Sequence, residues 1–155
     1  MARVSVICTT PESLEEAYLE IMKLPKGKNA ESEQLYARSH AIFAKVFGPD
    51  HPQVALSLNN RAEVLSAQAK HEKAERLYRR SLAIDEKVYG LDHPDLAKPL
   101  NNLAALLTSQ GKYDEADPLF KRTQEILQKT VGRDHPSTAP MWYNKATFVG
   151  KPGQV

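Results

Sequence analysis

Apolar residues along this chain recur at helical spacing, broken by polar turns in a fixed order. After His51-Pro52, the residues Leu58, Ala62 and Leu65 form one stripe, three to four positions apart, as the buried face of an amphipathic helix requires. A polar break at 68–70 follows. A second stripe then runs through Ala74, Leu77, Tyr78, Ile84 and Val88, with Leu82 and Ala83 between them. Glu72 with Arg76, and Glu75 with Arg79, are i,i+4 pairs in the favourable order. Gly90 closes the segment as a C-terminal glycine. The pattern restarts with Leu100, Leu103, Ala104 and Leu107, breaks at Gly111, and resumes with Tyr113, Ala116, Leu119, Phe120, Ile126, Val131 and Gly132. No strand-like alternation occurs between 11 and 150. The spacing predicts seven helices, over 12–24, 30–47, 53–68, 72–88, 95–109, 114–130 and 137–148.

The pattern is a true repeat. Asp50-His51-Pro52, Asp92-His93-Pro94 and Asp134-His135-Pro136 recur at a period of 42, and residues 51–92 laid over 93–134 give 17 identities without a gap. Each unit is a pair of amphipathic helices, the first opened by proline, whose missing N–H is no loss in a first turn. Such a pair cannot bury both apolar faces alone, but a stack of neighbours can, which predicts a solenoid of helical hairpins. The expected organisation is a tail at 1–10, a repeat domain over 11–150 and a tail at 151–155. Within the domain, 11–50 is degenerate, 51–92 and 93–134 are full repeats, and 135–150 is a half-repeat. The incomplete ends give the chain the look of a fragment, a short paralogue or a truncated array.

The residues His93-Pro94, Leu100-Asn101-Asn102-Leu103-Ala104, Gly111-Lys112-Tyr113, Glu115-Ala116 and Leu119-Phe120-Lys121-Arg122 resemble the tetratricopeptide repeat. The 42-residue period resembles the variant found in kinesin light chain and its nephrocystin-3-like relatives, over about 27–150. The resemblance implies an all-α fold, a right-handed superhelical solenoid of tetratricopeptide-type hairpins. It implies a non-enzymatic adaptor or scaffold that binds an extended peptide or partner protein in a concave groove, with cargo or scaffold proteins as the partner class. The sequence departs from the pattern at Arg61, where the next unit has Leu103, at Ala69 in place of Gly111, and at His71 in place of Tyr113. Pro99, Pro118 and Pro140 are expected to delay or kink their helices.

At about 100° per residue, Asn60 lies opposite Leu58, with Glu63, Leu56 and Ala67 near it and Asn59 at the edge. The equivalent set in the next unit is Lys98, Asn101, Asn102, Ala105 and Ser109, followed by Tyr143, Asn144 and Thr147. The resemblance implies that this face lines the groove. The expected peptide-binding residues are therefore Asn59, Asn60, Glu63, Lys98, Asn101, Asn102, Ser109 and Asn144, and the asparagine amides among them can both donate to and accept from a peptide backbone. A second candidate lies at the last helix, where Met141, Trp142, Tyr143 and Phe148 have no following hairpin to cover them. They suggest an end interface, and with it a self-associating assembly element as the alternative function.

Composition narrows the field. The 155 residues carry 21 Lys and Arg against 19 Asp and Glu, a net charge of +2, which argues against a nucleic-acid binder that works by neutralising phosphates. No apolar run nears the ~20 residues of a membrane span. Cys8 is the only cysteine and lacks an obvious base, and no secretory leader is recognisable, so the cytoplasm is the expected compartment. His51, His93 and His135 share one register, but successive repeats hold equivalent residues about 10 Å apart. One ion needs its imidazoles near ~2 Å. Their expected role is to shape the turn before proline, so no metal and no cofactor is assigned. No nucleotide-binding or hydrolase motif is present.

Overall fold

The computed structural model describes residues 30–130 together with residue 139. Five helices fill the first of these ranges: α1 (Ala30–Phe47), α2 (Pro52–Ala67), α3 (His71–Tyr89), α4 (Ala97–Ser109) and α5 (Tyr113–Thr130). A 3-10 turn, Pro94–Leu96, leads into α4. No strand occurs among the described residues. The expected helix at 12–24 lies outside them, and so does that at 137–148 apart from residue 139; the end-interface residues Met141, Trp142, Tyr143 and Phe148 lie outside as well, together with Asn144, His135, Pro140 and Cys8.

Two hairpins, α2–α3 and α4–α5, stack side by side, and α1 packs on α2 as the second helix of the hairpin before. The inter-repeat core is built from the positions that the two units share. Ala62, Leu65, Ala74 and Tyr78 from one hairpin meet Leu103, Ala104, Leu107, Ala116 and Phe120 from the next, all buried. Alanine at 62, 74, 104 and 116 lets the helix backbones approach closely, and each of the four is fully excluded from water. A second cluster joins Phe43 of α1 to Val54, Ala55 and Leu58 of α2 and Ile84 of α3.

The turns show why the repeat motif has the residues it has. His51 and His93 are N-caps: each Nδ1 accepts a hydrogen bond from the backbone N–H two residues on, at 3.2 Å from Gln53 and 3.3 Å from Asp95. Each imidazole also stacks on the aromatic four residues earlier, His51 on Phe47 and His93 on Tyr89, with centroids 4.6 and 4.5 Å apart. The shared histidine is thus used as a cap and a spacer. Between the helices of each hairpin the chain closes with a Schellman turn. Lys70 N donates to Leu65 O and Lys112 N to Leu107 O, both at 2.9 Å. This turn needs a left-handed residue, which Gly111 supplies at φ 76 and Ala69 supplies at φ 59 in spite of its Cβ.

The prolines act as the local chemistry dictates. Residue 99 has no N–H to give a carbonyl four residues back, and the entry to α4 tightens to a 3-10 turn, with Leu96 N bonded to His93 O. Helix α5 continues through Pro118 as one element. Glu75 and Arg79 pair at 2.9 Å, whereas Arg76 turns its Nε to the Glu72 backbone carbonyl at 3.5 Å, away from the carboxylate. Arg61 extends past the core stripe until its guanidinium lies 3.8 Å from Glu33, the snorkelling that its long stem permits. Neighbouring hairpins are tied at one register by Lys70 to Glu33 at 2.9 Å and Lys112 to Glu75 at 2.8 Å.

Candidate functional site

Side by side, α2 and α4 leave a cleft of about 680 Å³ between the two hairpins. Its near wall is Leu56 and Asn59 of α2, and its far wall is Lys98, Asn101 and Asn102 of α4. Ser81, Asp85 and Tyr89 of α3 form the floor with Thr123 and Leu127 of α5, and the turn residues Pro94 and Asp95 close one end. Two pairs of lining residues share a repeat register: Asn59 with Asn101, and Ser81 with Thr123.

The expected groove residues divide into three groups. Asn59, Glu63, Lys98 and Asn102 come together as one polar knot across the repeat boundary. The Asn102 amide donates to Asn59 Oδ1 at 3.3 Å and to Glu63 Oε1 at 3.0 Å. Asn59 donates to the same carboxylate oxygen at 3.0 Å, and Lys98 Nζ lies 3.2 Å from it. Asn59 is 3% exposed, so its amide is largely spent on holding neighbours together. Asn101 forms the second group alone. It lines the cleft and is buried, and its carboxamide oxygen meets no donor among the described residues. Asn60 and Ser109 form the third and do not line the cleft. Asn60 is half-buried, and Ser109 bonds back to Leu106 O at 2.7 Å on its own helix.

The floor carries chemistry that the angular analysis did not single out. Asp85 is half-buried and has no ion pair or hydrogen bond among the described residues. Burial, and then the nearby Asp95 carboxylate, push its pKa up from 3.8 to about 6. The same burial and the two carboxylates hold the Tyr89 phenol above its ordinary range. A signal for this was present in the sequence. One period earlier the register of Asp85 holds Phe43, and one period later Leu127, both buried. An acid at an inward-facing apolar position is the feature that would have found the floor. No cluster of three or more His, Cys, Asp or Glu side chains able to hold a metal is present among the described residues.

No helix among the described residues is long and apolar enough to cross a membrane. A family model for the tetratricopeptide repeat matches residues 21–87, 57–129 and 95–147. Two solved structures of a proposed kinesin light chain from Podosopora anserina with nearly identical TPR-like repeats, one of them a point variant, superpose with a TM-score of 0.70 at 24% identity. They cover 89% of this chain, which spans 64% of the length of theirs. At that identity the likeness is one of fold. No curated protein sequence matches the chain.

Proposed function

The chain belongs to the tetratricopeptide-repeat family, and on that premise we propose that it is a non-enzymatic interaction module that holds an extended segment of a partner protein in the cleft between α2 and α4. The observation that carries this reading is Asn101, a buried cleft residue whose carboxamide oxygen has no partner among the described residues. Buried polar groups are ordinarily satisfied, and a rotation of the Asn101 carboxamide would bring this oxygen to a peptide N–H laid along the cleft. The knot of Asn59, Glu63, Lys98 and Asn102 holds the walls at a fixed width, so the groove is preformed and little ordering free energy opposes binding. The role proposed is that of a cytoplasmic cargo or scaffold adaptor of the kinesin-light-chain kind. The test is affinity capture with the full chain against its Lys98→Ala, Asn101→Ala variant, with circular dichroism confirming that the variant is helical. A partner held by the native chain and lost by the folded variant is the expected result. The same partner held equally by both would refute the groove and move the weight to self-association.

A further inference from the structure

We propose that the cleft selects a basic side chain, arginine or lysine, on the bound segment, with Asp85 on its floor and Asp95 at its rim supplying the recognition charge. This deepens the groove reading above and rests on it.

The charges of the cleft do not balance. Its charged lining residues are Asp85, Asp95 and Lys98. Lys98 is engaged by Glu63 at 3.2 Å, outside the cleft lining. Asp95 lies 3.7 Å from His93 Nδ1, a nitrogen already engaged by the Asp95 backbone N–H. Two carboxylates therefore share one cleft, and among the described residues no cation of the lining is left to answer them. A carboxylate removed from water without a partner is costly, and equivalent registers avoid that cost with Phe43 and Leu127. Nothing in the packing of α3 uses the Asp85 charge.

Independently of the acids, two acceptors in the lining are unpaired: Asn101 Oδ1, on a residue only 8% exposed, and Gln53 Oε1. The cleft thus presents acceptors with too few donors, the converse of an anion site. A guanidinium offers five N–H donors in a plane and an ammonium three, and neither accepts. The remaining lining suits the stem of such a side chain, since Tyr89, Pro94 and Leu127 give apolar surface along which methylenes can lie while the charged head reaches Asp85. Arginine would gain most, because its fork matches a carboxylate bidentately.

The test uses capped, fluorescein-labelled nonapeptide pools with randomised flanks and a central residue fixed as arginine, lysine, norleucine or glutamate. Each pool is titrated by anisotropy into the full chain and into its Asp85→Asn, Asp95→Asn and Lys98→Ala, Asn101→Ala variants. The native chain is expected to prefer the arginine and lysine pools over norleucine and glutamate by about tenfold, the scale of one close charge pair. Asp85→Asn should bring that ratio close to one, and Asp95→Asn should reduce it less. An equal preference in native and Asp85→Asn proteins would overturn the proposal. Charge-blind binding by the native chain, lost in the Lys98→Ala, Asn101→Ala variant, would overturn it while the groove reading stands. A charge preference untouched by that last variant would instead overturn the groove reading, and retention of no pool would overturn both.

Discussion

Replacing Asp85 by asparagine should make this protein more stable, and only above a certain pH. The native fold pushes the Asp85 pKa to about 6 from an ordinary 3.8, through burial and the Asp95 carboxylate. The cleft residues that bear on it are Asp95 from the turn, Tyr89 from its own helix and Lys98 from α4, while α2 and α5 present no ionisable side chain to the cleft. The folded chain binds the Asp85 proton more tightly than the unfolded chain does. Native stability therefore falls as pH rises from about 4 to about 6 and is flat beyond, as proton linkage requires. At about 1.4 kcal/mol per tenfold change in proton affinity, the fully expressed cost is at most about 3 kcal/mol. Asp85 is only half-buried, and solvent screening brings this down to about 1–1.5 kcal/mol. Asparagine has the same shape and no charge, so the variant should melt about 2–6 °C higher at pH 7.5. The two proteins should converge at pH 4. Thermal melts of both proteins across pH 4–8 provide the measurement. A variant less stable than the native chain, or a difference that stays constant across the range, would refute the account of Asp85 as an uncompensated acid.

Two further predictions concern the turns. Ala69→Gly should raise stability by about 0.5–1 kcal/mol in urea unfolding by relieving a left-handed alanine, and Gly111→Ala should lower it by about 1 kcal/mol at the equivalent position. The added Cβ at Gly111 would meet nothing within 4 Å, so any loss there is conformational and not a clash. His93→Ala removes both the cap acceptor of the 3-10 turn and the stack on Tyr89. It should cost about 1 kcal/mol and speed amide exchange in the first turn of α4 ahead of the rest of the helix.

The helices were legible because each is written twice. Expected spans of 30–47, 53–68 and 114–130 stand against Ala30–Phe47, Pro52–Ala67 and Tyr113–Thr130. The entry to α4 was less legible, since a proline at 99 tightens the turn before it in a way that apolar spacing does not record. The groove was harder for a different reason. The angular projection treated the first helix of each unit as having one buried face and one free face. In the stack that helix touches its own partner and a neighbour on each side, and the free strip narrows and rotates toward Leu56 and Asn59. Asn102, projected into open groove, spends its amide on Asn59 and Glu63 of the preceding unit. Periodicity within a unit could not supply the rotation between units, and that rotation decides which asparagine faces what.

The two repeats agree where they pack and differ where they line the cleft. The inter-repeat core uses identical residues at 62 and 104, 65 and 107, and 74 and 116, while Asn59 and Asn101 keep the walls alike. Across the cleft the equivalent positions diverge in charge: Gln53 against Asp95, Leu56 against Lys98, Asp85 against Leu127. Packing explains each identity, because a solenoid must present the same face to each neighbour. Packing explains none of these divergences, and Asp85 runs against it, since Phe43 and Leu127 show that its register accepts an apolar side chain. A residue held against the preference of its own repeat is to be read by what it can meet in the cleft, and for Asp85 that is a cation which none of the described residues provides.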